Sequence, residues 1–495
     1  MMARLDGGSH PVDLAPGYSL TAPGLLGEAT AHDAAPPGTR RPGVEESTEA
    51  LDLAFESASV NEIRLIEVSA SSAPGGGGRG ESAEPGDELI LDIPDLGGTV
   101  GQAVMAVDEG GGITWHLPEH LGGGTQRGGE EQLRFRIPVD PTYTTGAEDE
   151  GDRSLIGTLG TTLLKVVVYP ITDPILGPVL EDFARRWEEK RRPNRLRWYG
   201  LGENRQKGAN LTDIDLGELA SGRSLWFVHG TFSTANSAFS GLSNEALERL
   251  HQNYGGRVVA FEHHTLSMDP TGNLSWLGDR LKGAPDLEID IVSHSRGGLV
   301  SRVLSGETGG IPGLEVGQAV LVGTPNYGTV LADPDHVLDF IDRISTILNV
   351  FPPGPASIVA EVLEAVLTVL KVVGSAGLRG LSGLASMNPS GDYLRGLDPD
   401  ARGSSLYRAM TSNFEPGGPL VRTIGVRAKD LTFDRVFEDE ANDLIVPTLG
   451  VYQGTDGTVF PLDDILEFSR DDRVQHSGFF SHPKAVAQLE TWLQG

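Results

Sequence analysis

Residues 289–304, IDIVSHSRGGLVSRVL, constrain the fold of this 495-residue chain more than any other stretch. The apolar run Ile289–Val292 reads as a buried strand, and Arg296–Leu304 repeats its apolar side chains at helical spacing. The few residues between them force a tight turn with Ser295 at its apex. A strained turn of this kind aims a hydroxyl away from the sheet, as a nucleophile requires. Both flanks of such a turn must be small, and the usual pattern is G-x-S-x-G. Here it reads Ser293-His294-Ser295-Arg296-Gly297, with Ser in place of the first Gly. Ser is still small enough to sit against the following helix, and Gly297 and Gly298 keep the other side open. The pentapeptide alone is a weak signal; bracketed by a buried strand and an amphipathic helix it is a strong one.

Regular β/α alternation surrounds this segment. Leu225–Val228, Arg257–Phe261, Ile289–Val292 and Ala319–Val322 read as strands, with helices over Asn244–Asn253, Asn273–Leu281 and Arg296–Leu304. Fully apolar strands between amphipathic helices imply a parallel-rich sheet with helices on both faces, here spanning 223–495. The first half of the chain differs. Residues 1–58 show no sustained periodicity and are expected to be disordered. Short runs at Ile63–Val68, Glu88–Ile93, Gly101–Val107, Gly112–Trp115, Gln132–Val139 and Thr162–Tyr169 suggest a smaller, mostly-β, sandwich-like module over 59–175. A connector follows at 176–222. It holds a helix over Pro178–Lys190, whose basic end Lys190-Arg191-Arg192 is expected in solvent, and then a linker.

The 39 basic and 69 acidic residues leave a net charge of −30. A field of that sign repels phosphate backbones, so no nucleic-acid partner is expected. The absence of cysteine removes thiol nucleophiles and thiolate metal sites. The pair His263-His264 lacks a surrounding carboxylate cluster, so no metal is expected, nor any organic cofactor. No transmembrane segment or secretory leader is legible, and a cytoplasmic location is expected.

Three further segments carry the chemistry. The strand LWFVHG ends in His229-Gly230-Thr231-Phe232, where a glycine lets the chain turn and brings the Thr231 amide towards the serine; His229, at the strand end, reads as structural. Together with the amide of Arg296, the Thr231 amide would form an oxyanion hole. Gly323-Thr324-Pro325-Asn326-Tyr327-Gly328-Thr329 follows the strand after the serine helix. The trio VHGTF, SHSRGG and VLVGTPNYGT resembles the bacterial lipase and esterase branch of the α/β-hydrolases, over roughly 223–330 and 440–495. That resemblance implies an α/β-hydrolase fold and an acid and base in the order Ser, Asp, His. Asp443, in Asn442-Asp443-Leu444-Ile445-Val446-Pro447, is similar to the family's D-x-x-V-P acid, placed beyond a strand at Thr423–Val426. Asp456, in Thr455-Asp456-Gly457, is the rival. His476, before the terminal helix Lys484–Leu493, matches the family's base; His482 is its alternative and reads as that helix's cap.

Between these motifs, at about 331–400, lies a helical insertion. A helix over His336–Phe351 carries Val337, Ile341, Ile344, Leu348 and Phe351 at helical spacing. A second, Ala356–Val373, confines Ser357, Glu361, Glu364, Thr368 and Lys371 to one stripe and is aliphatic elsewhere. Either the protein covers that apolar surface, making the helix a fixed cap element, or the helix is a lid over an acyl chain. The expected activity is hydrolysis of a small-molecule ester or lipid with an apolar acyl chain through an acyl-enzyme on Ser295. Acyl transfer, or a non-catalytic binding module, are the alternatives, and a protein partner for the β module is not identified.

Overall fold

The computed structural model describes residues 2–34, 47–70, 88–98, 100–108, 111–119, 131–138, 161–170, 179–306, 310–376, 381–397, 403–415, 440–454 and 457–494. Ten strands precede the connector: β1 (Met2–Asp6), β2 (Val12–Ala15), β3 (Tyr18–Thr21), β4 (Leu26–Asp33), β5 (Asn61–Ala70), β6 (Glu88–Pro94), β7 (Val100–Val107), β8 (Ile113–His116), β9 (Gln132–Pro138) and β10 (Thr161–Pro170). They form two antiparallel sheets, ordered β1-β4-β5-β10-β7-β8 and β2-β3-β6-β9. The sheets share a core of Leu14, Leu20, Ile66, Leu91, Val104 and Phe135.

The expectation of disorder over 1–58 fails at 2–34 and 47–58; residues 1 and 35–46 lie outside the described residues. Four strands occupy that stretch, and a helix runs over Ser47–Ala58. Three of the strands are only four or five residues long, and the fourth has small inward side chains. In β4 the buried positions are Gly27, Ala29 and Ala31, which give little periodic hydrophobic signal. The helix buries Ala50, Leu51, Ala54, Phe55 and Ala58.

The C-terminal part is built on a seven-stranded mixed sheet. Its strands are β11 (Arg195–Trp198), β12 (Ser224–Val228), β13 (Val258–Glu262), β14 (Leu287–His294), β15 (Leu314–Val322), β16 (Leu406–Ser412) and β17 (Asp464–Phe468). The order is β11-β13-β12-β14-β15-β16-β17, with only β11 antiparallel. Alternate side chains enter two cores. Leu225 and Phe227 join the helices Asn244–Asn253 and Pro483–Trp492, while Trp226 and Val228 face Pro270–Arg280 and Gly297–Ser305. Val292 of the central β14 lies opposite Phe227 on one side and Val320 on the other. The loops after β12, β14 and β15 therefore leave the sheet side by side at its carboxyl edge, where open α/β sheets place their sites. The expected strand Thr423–Val426 lies outside the described residues.

The connector is more than a spacer. Its helix spans Val179–Arg191; Lys190 and Arg191 at its end are exposed, as expected, and Arg192 just beyond is half-buried. Glu188 is buried and accepts the amides of Thr265 (2.6 Å), Leu266 (2.9 Å) and Ser267 (3.0 Å) and the Ser267 hydroxyl (2.6 Å). Apolar periodicity does not show that role, because the donors lie 77–79 residues further on. The expected linker contains a helix, Asp213–Leu219, closed by a capping box between Thr212 and Asp215.

The insertion forms helices Val337–Val350 and Ala356–Ala376. The second is closely packed. Leu367 and Leu370 are each 1% exposed, and the helix packs on Ser47–Ala58, β7 and Val179–Arg191. Its surplus aliphatic surface is covered chiefly by the helix Ser47–Ala58, in a stretch expected to be disordered. No described helix is long and apolar enough to cross a membrane.

Candidate active site

Ser295 stands between β14 and the helix Gly297–Ser305 with φ at 55°, its amide bonded to the Val322 carbonyl at 2.8 Å. The turn is possible because its flanks carry no bulk. A Cβ on Gly297 would lie 2.3 Å from the Val228 carbonyl, and one on Gly298 would meet the Thr324 side chain at 2.0 Å. From β12, Gly230 approaches so closely that a Cβ there would sit 2.7 Å from Ser295 Cβ. Thr231 and the left-handed Phe232 (φ 61°) follow.

Asp443 lies in a loop where its Oδ1 accepts the amides of Ile445 (3.0 Å) and Val446 (2.8 Å). Its Oδ2 accepts Nδ1–H of His476 at 2.8 Å, and the His476 amide bonds the Asp443 carbonyl at 2.9 Å. A carboxylate can only accept, so the imidazole proton is fixed on Nδ1 and Nε2 is left as a base. Ser295, His476 and Thr231 line one cavity of about 60 Å3. Phe340, Ile344, Ile347, Leu348 and Val362 from the insertion make its remaining wall largely apolar. Arg296 caps the helix after the serine. Its guanidinium is buried and donates to the Gly383 carbonyl (2.9 Å) and to the Met268 carbonyl, while burial lowers its pKa to about 10.

Asp456 lies outside the described residues. His482 begins the terminal helix, its ring 4.9 Å edge-on from Phe468, and it does not line the cavity. His229 is buried, with Nδ1 bonded to the Gly230 carbonyl (3.0 Å) and Nε2 accepting the His263 amide (3.2 Å). Its ring stacks on His263 at 4.2 Å, and burial lowers the pKa of both. It therefore braces the turn after β12.

Three contributors were missed in the sequence. His294 donates Nε2–H to the His476 carbonyl at 2.8 Å, and burial first, then the neighbouring His476, push its pKa down to about 3. Gly323, with φ 55°, lies where a Cβ would be 3.3 Å from both Asp443 Oδ2 and His476 Cε1. Arg192 donates through Nη1 to the Phe232 carbonyl at 2.5 Å and through Nη2 to the Glu361 carbonyl, steadying the strained residue after Thr231. Only Gly323 left a sequence signal, as the first residue of the GTPNYGT segment. Phe232, Ser295 and Leu444 (φ 85°) are three of the five described non-glycine residues with positive φ. Each flanks or forms part of this site, a concentration of strain that functional sites favour.

Among solved structures, the chain is similar to the mature form of Bacillus licheniformis lipase BlEst2, with 14% identity and a TM-score of 0.35, covering 55% of this chain and 91% of that one. It is similar to Pelosinus fermentans lipase 1 (11%, TM-score 0.34, 55% and 97%) and to phospholipase PlaB from Legionella pneumophila (13%, TM-score 0.34, 55% and 60%). Resemblances this distant say nothing of what this chain acts on. No curated protein matches the sequence. A family model described as "Domain of unknown function (DUF7379)" matches residues 191–494, and the chain belongs to that family.

Proposed function

We propose that this protein is a serine hydrolase of the α/β-hydrolase type that cleaves carboxylic esters with a short apolar acyl group. The observation that carries this reading is the 2.8 Å bond from His476 Nδ1 to Asp443, made by a histidine that shares a cavity with Ser295. Ser295 Oγ attacks the ester carbonyl as His476 Nε2 takes its proton. The amides of Thr231 and Arg296 hold the oxyanion of the tetrahedral intermediate. The intermediate collapses, the alcohol leaves with the proton from His476, and the acyl group stays on Ser295. Water, deprotonated by the same imidazole, then releases the acid and restores the serine. Asp443 keeps the imidazole in its tautomer and stabilises the imidazolium.

The substrate class follows from the walls. Apolar side chains suit an alkyl group, each buried methylene adding about 0.8 kcal/mol. A volume of about 60 Å3 favours a short chain over a long one. Hydrolysis of p-nitrophenyl butyrate by the pure protein, and its loss in Ser295→Ala, tests this reading. A Ser295→Ala protein as active as the wild type would remove it.

A further inference from the structure

The first part of the polar stripe of helix Ala356–Ala376 opens on a recess and not on a flat surface. Ser357, Glu361 and Glu364 line a cleft of about 820 Å3, separate from the catalytic cavity, where the helix Ser47–Ala58 meets the C-terminal part. The segment after Phe232 contributes to both: Thr234 and Asn236 line the cleft, Ser233 and Ser237 the cavity.

Four guanidiniums reach this cleft, and three are engaged. Arg191 Nε lies 2.9 Å from Glu364 Oε1. Arg192 bonds the carbonyls of Phe232 and Glu361. Arg197 donates twice to Glu262 Oε1, at 2.9 and 2.7 Å. Arg195 is half-buried, and its guanidinium makes no hydrogen bond or ion pair with any described residue. Its position explains why. Glu262 is its cross-strand neighbour in the β11–β13 register, but both oxygens there are taken, Oε1 by Arg197 and Oε2 by the Ala235 amide at 3.0 Å. Glu361, the other carboxylate nearby, accepts the Thr234 hydroxyl at 2.5 Å. Burial lowers the Arg195 pKa even though both carboxylates pull it upward. A partly desolvated cation without a partner is costly, and a guanidinium presents five donors in a fork that matches an oxyanion. The surrounding Ser57, Ser59, Gln206 and Asn236 supply hydroxyls and amides, not apolar surface.

We propose that this cleft binds a small hydrophilic oxyanion, a carboxylate or phosphate on a hydroxyl-bearing body, whose charged group pairs with Arg195. Clefts between structural units are common ligand sites, and Ser295, Asp443 and His476 are not among the residues that line this one.

Isothermal titration of the full chain with citrate, glucose 6-phosphate and uncharged glucose, at one ionic strength set with sodium chloride, tests this. Saturable binding of citrate or glucose 6-phosphate with a Kd below about 1 mM is expected, with none for glucose. The two anions separate a carboxylate ligand from a phosphate one. Arg195→Gln should weaken binding at least about tenfold, as should Ser357→Glu, which adds a carboxylate at an exposed cleft position and keeps the test open if the first variant does not fold. Ser295→Ala should bind as the wild type does. Absence of saturable binding, an unchanged Kd in both cleft variants, or loss of binding in Ser295→Ala would overturn the proposal.

Discussion

Asp443 holds His476 with one oxygen and is itself held by the other: Oδ2 takes the imidazole Nδ1–H at 2.8 Å, while Oδ1 takes the amides of Ile445 and Val446. The carboxylate therefore cannot rotate without giving up two backbone bonds. In Asp443→Asn those amides would keep the side-chain oxygen and turn the NH2 towards Nδ1, forcing the imidazole into the wrong tautomer. We expect kcat for p-nitrophenyl butyrate to fall about 10³–10⁴-fold with KM little changed. A loss under tenfold would mean that Asp443 does not orient the base.

Gly323→Ala should injure catalysis more than folding. The new Cβ would stand 3.3 Å from both Asp443 Oδ2 and His476 Cε1, on a backbone with φ at 55°. A stability loss of about 1 kcal/mol and a kcat about 10–100-fold lower are expected, read by urea unfolding and steady-state kinetics. Full activity would show that the acid–base pair tolerates displacement.

His294 gives stability a pH dependence with a definite sign. Its pKa is about 3 in the folded chain and about 6.5 when unfolded, so between those values the unfolded state binds the extra proton. Its burial costs nothing above pH 6.5. The penalty grows as pH falls, reaching about 2 kcal/mol at pH 5, and levels off near pH 3. Urea midpoints at pH 7.5 and 5 should converge in His294→Asn relative to the wild type. An unchanged difference would show that this imidazole does not stay neutral.

The cavity wall should set chain-length preference. Helix Val337–Val350 puts Phe340, Ile344, Ile347 and Leu348 on the cavity while side chains on another side grip the edge strand β8. Asp342 accepts the Trp115 amide (2.8 Å), Thr346 accepts the Ile113 amide (3.0 Å), and Asn349 donates to the Gly111 carbonyl (2.7 Å). With the wall so tied, kcat/KM should rise about tenfold from acetate to butyrate and drop for octanoate. Thr346→Val with Asn349→Ala should raise the octanoate-to-butyrate ratio about tenfold. An unchanged ratio in that variant would separate the β8 contact from the shape of the cavity.

Glu188→Ala should cost about 3–5 kcal/mol, since it leaves three amides and a hydroxyl without their acceptor. A change under 1 kcal/mol in urea unfolding would show that water replaces the carboxylate.

Strands β12 to β15 and the turn at Ser295 were legible because their signal is local, in apolar runs, helical spacing and forced small residues; β11, β16 and β17 were not read. Asp443 and His476 entered through chain order and motif resemblance; of their rivals, His482 stands away from the cavity, while Asp456 lies outside the described residues. Roles that depend on distant partners were not legible. Glu188 reads as one more acidic residue on a connector helix until its donors at 265–267 are known. Arg192 reads as part of a solvated basic cluster until Phe232 is placed beside it. The apolar surface of helix Ala356–Ala376 read as surplus because its chief cover, the helix Ser47–Ala58, sits in a stretch whose composition resembles disorder.

The central claim is that Ser295 is an activated nucleophile, and covalent labelling tests it most directly. The full chain is treated with a fluorophosphonate probe, digested, and the adduct mapped by mass spectrometry. Stoichiometric modification of Ser295 is expected, lost in Ser295→Ala and slowed at least about a hundredfold in His476→Ala. An unlabelled wild-type protein, or an adduct on any other residue, would contradict the account.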